Sequence, residues 1–252
     1  MFVHPIEKTS EVDLFALSSE GVTERLSSLI RQFDANKIHT GMVSFFDSKI
    51  IINKKLERLS FSIMPDLNDG NTMTTVERAR ENGYCSVTFH PYLQKIDKTR
   101  YQDVLKLARY AEKLGMFICI CSAYGSQNIY NFFSLPLAVC LAETVRCPIV
   151  LIHAGGAKIL DAMLIADAFS NVYLETSFSL PYWIGSSVEI DFAYAMRKLG
   201  PERRMFGSDS PFWDIRDALN CHLEFFVRHR FSFREIEQIM GGTAAELLGG
   251  IC

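Results

Sequence analysis

The sequence lacks an excess of positive charge, which bears on the partners the protein can have. Lys and Arg number 26 against 29 Asp and Glu, giving a formal net charge of −3. Binding to nucleic acid requires a basic patch or stripe, and no stretch of this chain supplies one. We therefore expect a small-molecule substrate and no nucleic-acid partner.

Long hydrophobic runs are also missing, although hydrophobic residues make up 48% of the chain. The apolar runs are far shorter than the roughly 18 residues that a membrane span needs. Residues 1–5 contain no basic segment followed by an apolar core, so no signal peptide is expected. The seven cysteines are odd in number and scattered, which argues against a disulfide framework. These absences predict a cytoplasmic protein with reduced thiols and no membrane partner.

Short apolar segments alternate with helical patterns along most of the chain. The continuous run 149–152 is typical of a strand buried on both faces of a parallel sheet. In 22–36, apolar residues recur close to the helical period of 3.6. Eight strand candidates alternating with helices predict an α/β fold, a single (β/α)8 TIM-like barrel domain over residues 1–252. The predicted strands are 2–5, 40–46, 59–64, 85–89, 116–121, 148–152, 171–174 and a last strand that begins at 205.

A doubly wound open sheet is the alternative architecture. Its dinucleotide-binding version is disfavoured, because no Gly-x-Gly-x-x-Gly turn follows the first strand.

Polar side chains with catalytic potential fall where the predicted strands end. In a barrel these ends converge on one face, where active sites lie. Imidazole and carboxylate groups can bind a divalent metal or perform general acid–base catalysis. One strand-end histidine is more often structural, but several together favour a site. The residues at these positions are His4, His90, Cys121, His153, Glu175 and Asp209.

Asp209 lies in the turn Gly-Ser-Asp-Ser-Pro, which follows the last apolar run. Pro211 prevents simple continuation of a central strand, so the turn can present the carboxylate at the barrel mouth. Aspartate is also a favoured helix N-cap. From these residues alone, a catalytic acid and a cap of the next helix are equally supported.

Four segments resemble the C-terminal half of the amidohydrolase-related proteins, which are metal-dependent barrel hydrolases and decarboxylases. The resemblance is dense from about residue 83 onward and thin before it. It implies that Asp209 binds metal and shuttles a proton for an attacking water. It also implies that His153 binds a second metal or polarises the substrate. The segments are 148–156, 171–177, 200–212 and 241–248.

Two residues depart from the pattern of that family. Phe2 stands where the first-strand His-x-His-Pro motif has its first histidine, and Cys121 stands where the fifth strand has a metal-binding histidine. The resemblance then implies a modified mononuclear site, with zinc held by His4, Cys121 and Asp209 and with His153 as the neighbouring acid or base. A metal-free site, with Cys121 as a small buried residue, is the alternative.

The strand-end loops also contain candidate substrate-binding residues. Their aromatic rings would suit a planar or apolar organic substrate, or else would seal the top of the barrel. The candidates are His90, Tyr92, Tyr124, Glu175, Trp183 and Trp213.

The resemblance implies a hydrolase that acts on a small carboxylate, lactone or amide, with Asp209 and His153 as catalytic residues. Nonoxidative decarboxylation is an alternative within the same family. A non-catalytic, metal-free barrel that binds a small ligand is a further alternative, motivated by Phe2 and Cys121. By the same resemblance we expect a homodimer.

Overall fold

A computed structural model describes residues 2–3, 19–46, 51–52, 56–122 and 130–250. Eight parallel strands form one sheet in which each strand pairs with the next along the chain. This sequential order excludes the doubly wound alternative, in which the strand order reverses at a switch point. The strands are β1 Phe2–Val3, β2 Gly41–Phe45, β3 Leu59–Ile63, β4 Tyr84–Phe89, β5 Phe117–Cys121, β6 Ile149–Ile152, β7 Val172–Glu175 and β8 Arg204–Met205.

Helices follow most strands and cover the outer face of the sheet. Each of the longer ones buries one apolar stripe, as in Val104, Ala108 and Ala111 of α3. The α-helices are α1 Ser19–Ala35, α2 Thr72–Glu81, α3 Tyr101–Lys113, α4 Ser134–Thr144, α5 Ile159–Ala168, α6 Ser179–Trp183, α7 Val188–Leu199, α8 Ile215–Arg228, α9 Phe233–Glu237 and α10 Thr243–Gly249.

Side chains alternate between two cores along the central strands, as the period of a strand requires. In β5, Ile118 and Ile120 pack outward against the helices. Phe117 and Cys119 pack inward with residues of the neighbouring strands. By this alternation Cys121, the last residue of β5, belongs to the inner face at the C-terminal end of the sheet. All five residues of β5 are buried.

The predicted α/β class and parallel strands are confirmed. No pairing between β8 and β1 is found within the described ranges, so closure into a complete barrel stays a prediction. The short helices α6 and α10 were not predicted as helices. In the part of the chain that the structure covers, no helix combines the length and apolar character needed to cross a membrane.

Candidate active site

Four consecutive strands bring titratable side chains together at their C-terminal ends. His90 follows β4, Cys121 ends β5, His153 follows β6 and Glu175 ends β7. Asp209 approaches from the loop after β8, and its Oδ1 lies 3.9 Å from Nε2 of His153. All five side chains are buried. The structure thus assembles most of the predicted strand-end set into one cluster.

The backbone at His153 adopts an unusual conformation that fixes the direction of its ring. His153 and Ala154 have positive φ angles of 69° and 49°, which cost of order 1 kcal/mol or more for residues other than glycine. Hydrogen bonds hold the turn in place. The His153 N–H donates to Glu175 Oε2 at 3.3 Å, and the Gly155 N–H donates to Ser122 Oγ at 2.8 Å.

The two nitrogens of the His153 ring have different neighbours. Nδ1 lies 3.0 Å from the Ser177 carbonyl oxygen, so it carries a proton and donates there. Nε2 faces Asp209 at 3.9 Å, a separation too long for a direct hydrogen bond. The geometry therefore orients the ring through Nδ1 and turns Nε2 towards Asp209, while the ring also makes a side-chain hydrogen bond with Cys121.

Glu175 is fully buried, and protein donors already contact both of its carboxylate oxygens. Oε1 accepts from the Ser177 N–H at 2.7 Å, and Oε2 accepts from the Ser177 hydroxyl at 2.8 Å. Burial raises the pKa of this carboxyl, an effect that the nearby His153 charge and the Ser177 hydrogen bonds partly offset. A Cβ on Gly207 would overlap Oε1, so the loop after β8 leaves just enough room for this carboxylate. We interpret Glu175 as a residue that positions Ser177 and His153.

Charges within the cluster shift the pKa values of His153 and Cys121 in opposite directions. Burial lowers the pKa of His153, but Asp209, Cys121 and Glu175 outweigh burial and raise it to about 10. Burial raises the pKa of Cys121, but His90 and His153 outweigh burial and hold it well below its usual value. The two charged forms thus stabilise each other, since a cationic His153 favours the Cys121 thiolate and the thiolate favours the cation.

His90 lies between two aromatic rings. Its ring centroid is 5.7 Å from that of Phe46 and 4.2 Å from that of Tyr92, both in edge-to-face geometry. His90 Nδ1 is buried and has no hydrogen-bond partner among the residues described. Because an unsatisfied buried polar atom is costly, this nitrogen is suited to bind a substrate atom.

The other predicted substrate-binding residues take different places. Trp183 and Trp213 are half-buried and pack against the outer core, which favours a sealing role. His153 is linked to the rim through Phe178, whose ring centroid lies 5.9 Å away and which stacks on Tyr182 at 5.5 Å. Tyr124, a predicted substrate-binding residue, lies outside the described residues, as does His4, the predicted metal ligand. The substrate-binding roles of these residues stay predictions.

Asp209 does not cap the following helix. The N-cap of α8 is Asp214, whose side chain accepts from the N–H groups of Arg216 and Asp217. Asp209 instead has a positive φ of 60°, and its side chain is buried beside His153. Of the two interpretations left open by the sequence, the structure supports a carboxylate directed into the site.

The described residues do not complete a metal site of the kind the family resemblance implies. No group of three or more His, Cys, Asp or Glu side chains within the described ranges has an arrangement that could hold a metal ion. Phe2 offers no ligand atom, and a catalytic zinc usually takes three protein ligands. The structure therefore supplies Cys121 and Asp209 without a described third ligand, and we derive no step through a metal.

Several residues of the site were missed by sequence reasoning. Ser122 and Ser177 hold the His153 turn and ring, while Phe46 and Phe178 contact the two histidines. Each directly follows a strand or lies within three residues of its end. Their position at strand ends was the available signal, but small hydroxyl residues and Phe have no distinctive pattern there.

The model of the amidohydrolase family matches residues 51–250 of this sequence. The match covers most of the chain and includes the four strand-end residues from His90 to Glu175 and also Asp209. The chain belongs to the amidohydrolase family, as the resemblance of its C-terminal segments implied. A search of curated proteins found no match.

Solved structures share the fold at low sequence identity. A TIM-barrel protein from Bordetella bronchiseptica is 16% identical, with 94% of this chain and 88% of that chain covered and a TM-score of 0.71. A probable 2-pyrone-4,6-dicarboxylic acid hydrolase from Acinetobacter baumannii with citric acid bound is 14% identical, with 89% and 88% covered and a TM-score of 0.62. The 5-carboxyvanillate decarboxylase LigW from Sphingomonas paucimobilis is 16% identical, with 88% and 82% covered and a TM-score of 0.60.

Proposed function

We propose that this chain is a hydrolase that opens a small carboxylate-bearing ester, lactone or amide, with Asp209 and His153 as its acid–base pair. The observation that carries the proposal is the pair itself: a buried imidazole Nε2 and a buried carboxylate Oδ1 face each other at 3.9 Å. Amidohydrolase family membership supports the same reaction class.

The separation of the pair suits one reacting oxygen between them. A water oxygen can lie within hydrogen-bond distance of both atoms at once, since hydrogen bonds of about 2.8 Å on either side span more than the gap. Asp209 then accepts a proton as this water attacks the substrate carbonyl carbon. A C–O bond forms, and the carbonyl oxygen becomes an oxyanion.

His153 stabilises the charge that develops on that oxygen. As an imidazolium with its pKa near 10, it can donate from Nε2 to the oxyanion, while Nδ1 stays bonded to the Ser177 carbonyl. Donors fixed in a buried site are effective at this task. When the tetrahedral intermediate collapses, the bond to the leaving group breaks and Asp209 returns its proton to that group.

The substrate class is inferred from the cationic side of the site. His153 is an imidazolium, and His90 presents a buried, unpartnered Nδ1 between the rings of Phe46 and Tyr92. This combination of a cationic imidazole and aromatic rings suits a planar ring that bears a carboxylate. Two proteins of similar fold, the probable 2-pyrone-4,6-dicarboxylic acid hydrolase and the 5-carboxyvanillate decarboxylase, have carboxylate-bearing ring compounds in their names, which is compatible with this class.

Nonoxidative decarboxylation is a second candidate, favoured by the protonated state of His153. In that reaction the C–C bond to the carboxylate breaks, CO2 leaves with the carbon electron pair retained on the ring, and Nε2 delivers a proton to that carbon. The products distinguish the two reactions, because hydrolysis adds water and releases no CO2.

The test is a panel of cyclic and aromatic carboxylates, lactones and amides, assayed for hydrolysed product and for CO2. We expect turnover by the wild type and a loss of about 10²–10⁴-fold in kcat for Asp209→Asn. Asp214→Asn is the matched control, because Asp214 is exposed and only caps α8. Wild-type-like turnover by Asp209→Asn would reject the assignment.

Two further outcomes would contradict the proposal. Binding of panel members with conversion of none of them would support the non-catalytic alternative. Metal analysis runs in parallel, because the family resemblance implies zinc or another divalent ion. One equivalent of metal per chain, lost together with activity in Asp209→Asn, would make Asp209 a ligand and would overturn its role as the proton acceptor in the scheme above.

A further inference from the structure

Phe178 and Tyr182 form a stacked aromatic pair next to the His153 ring. Their ring centroids are 5.5 Å apart and their planes differ by 18°. Phe178 also meets the His153 ring edge to face, with centroids 5.9 Å apart. Phe178 is half-buried and Tyr182 is 59% exposed. The Phe178–Tyr182 pair therefore extends from the buried imidazole of the candidate site to the protein surface.

Core packing does not explain why two large aromatic side chains are placed here. Phe178 and Tyr182 belong to none of the hydrophobic core clusters formed by the described residues. The neighbouring Trp183 does pack against the outer core, and it meets the Tyr182 ring edge to face at 5.1 Å, so it supports that ring. An aromatic pair that lies outside the core and borders the reacting groups is typical of a ligand-binding surface.

The backbone at Phe178 is held in a strained turn that directs this pair. Its φ and ψ are 55° and −56°, close to the positive-φ γ-turn, which is rare and strained. The Ser179 N–H closes the turn by donating to the Ser177 carbonyl oxygen, which also holds Nδ1 of His153. The Tyr182 N–H donates to the Phe178 carbonyl at 3.0 Å, and this i, i+4 spacing places both rings on one side of the turn. Strain of this kind concentrates at ligand-binding sites.

The pair lies on the other side of His153 from His90. The strands are ordered β4, β5, β6 and β7 in the sheet, and His90 follows β4, His153 follows β6 and Phe178 follows β7. The rings of Phe46 and Tyr92 flank His90. A substrate whose carbonyl group reacts at His153 therefore has an aromatic surface on each side of the reacting carbon.

We propose that Phe178 and Tyr182 bind a second planar ring of the substrate, carried by the alcohol or amine part of an ester or amide. This assignment presupposes the proposed function, in which the carbonyl reacts between Asp209 and His153. The carboxylate-bearing ring then lies on the His90 side, and the leaving group lies on the Phe178 side. Phe178 becomes a specificity-determining residue, because a planar aromatic ring stacks on its neighbours more favourably than a saturated ring of similar size.

The test compares two monoesters of terephthalate that differ only in the alcohol, the benzyl ester and the cyclohexylmethyl ester. Hydrolysis breaks the same acyl C–O bond in both and releases terephthalate and the alcohol. We expect the wild type to favour the benzyl ester. Phe178→Leu and Tyr182→Leu should each reduce the benzyl-to-cyclohexylmethyl ratio of kcat/KM by about 2- to 10-fold, the usual contribution of one aromatic contact.

Tyr194→Leu is the matched control, because Tyr194 is 57% exposed on the outer helix α7 and Tyr182 is 59% exposed. It should leave the ratio unchanged. Urea unfolding must show that Phe178→Leu is folded. Tyr182→Leu changes an exposed side chain, so it tests the same ring site without disturbing the turn. A wild-type ratio in Tyr182→Leu and in folded Phe178→Leu would overturn the proposal.

A role confined to the turn gives a different result. The turn holds the Ser177 carbonyl against His153, so a change in its backbone would lower kcat for both esters alike. Loss of the ring contact instead acts on the benzyl ester, because the cyclohexylmethyl ester gains little from stacking. Equal losses for the two esters in Phe178→Leu, with no change of the ratio in Tyr182→Leu, would reject Phe178 as a specificity-determining residue.

Binding of ketone analogues separates the ring site from the proposed hydrolase activity. In the ketone analogue of each ester, a methylene group replaces the ester oxygen, so no hydrolysable bond remains. Calorimetry on the wild type should show tighter binding of the benzyl-type ketone than of its cyclohexyl counterpart, and Tyr182→Leu should remove the difference. That result without ester turnover would reject the hydrolase and keep the ring site. Equal or absent binding of the two ketones would reject the ring site, even in an enzyme that hydrolyses the esters.

Discussion

The charge on His153 depends on its three acidic neighbours. Burial alone would favour the neutral imidazole, but Asp209, Cys121 and Glu175 all lie close enough to favour the cation. Nδ1 is already held by the Ser177 carbonyl. The proton available to a substrate is therefore the one on Nε2, and its loss should end activity.

We predict an alkaline limb in the pH profile of kcat/KM. His153 has its pKa raised to about 10, so the active imidazolium is present at neutral pH and is lost as the pH rises through that value. The limb should therefore lie near pH 10. Steady-state rates on an active panel member between neutral pH and the alkaline limit of stability test this, because kcat/KM reports groups of the free enzyme. An alkaline limb near the ordinary pKa of histidine would contradict the proposal that the acidic neighbours keep His153 protonated.

Cys121 is one of the groups that raise the pKa of His153, which gives a second prediction. Replacing Cys121 by Ala removes one anionic neighbour of His153, so the pKa of His153 and the alkaline limb should move down by about one pH unit. Cys119→Ala is the matched control, because Cys119 lies two residues earlier on the same strand face in the inner core. An unchanged limb in Cys121→Ala would mean that the thiol does not carry charge beside His153.

At the scale of elements, the site depends on how closely the loop after β8 approaches the end of β7. Gly207 lies against the Glu175 carboxylate, and Glu175 in turn holds Ser177 and the His153 turn. The catalytic ring is thus supported by a contact between two strands. Removing space at this contact should disturb the turn without touching any reacting group.

Gly207→Ala is predicted to destabilise the protein by about 1–3 kcal/mol, the usual range for overpacking a buried site. Activity should fall as well, because a displaced Glu175 no longer fixes the His153 turn. Urea unfolding and the rate on an active substrate measure the two effects. Gly241→Ala is the matched control, since a Cβ there meets nothing within 4 Å. Equal stability of the two variants would show that the contact at Gly207 is loose.

The sequence predicted the helices and strands more accurately than the contacts between them. Continuous apolar runs such as 149–152 and helical stripes such as that of α3 depend on local periodicity, and they were confirmed. Whether Asp209 caps a helix could not be decided locally. The answer depends on Asp214 reaching the N–H groups of Arg216 and Asp217.

The contacts within the site were even less accessible to sequence reasoning. Ser122, Ser177 and Gly207 act through neighbours on other strands, at separations of 24 to 33 residues along the chain. Strand periodicity places such residues at strand ends but does not say which backbone group they hold.

At the scale of the whole molecule, the candidate site is built on the ends of strands in the middle of the sheet. His90, Cys121 and His153 lie at the ends of β4, β5 and β6, which are buried along their whole lengths. Each of these strands pairs with a neighbour on both sides. By contrast, α9 has no buried residues. Local opening should begin in such peripheral elements, since regions with few buried contacts have low local stability.

We therefore predict that activity persists until the sheet itself unfolds. In native-state hydrogen exchange, the amides of 117–121 and 149–152 should exchange only through global unfolding, whereas those of 233–237 should exchange through local opening. In a urea titration, activity should disappear together with protection of β5 and after protection of α9 is lost. Loss of activity at urea concentrations that leave β5 and β6 protected would show that the loop bearing Asp209, and not the central strands, limits the stability of the site.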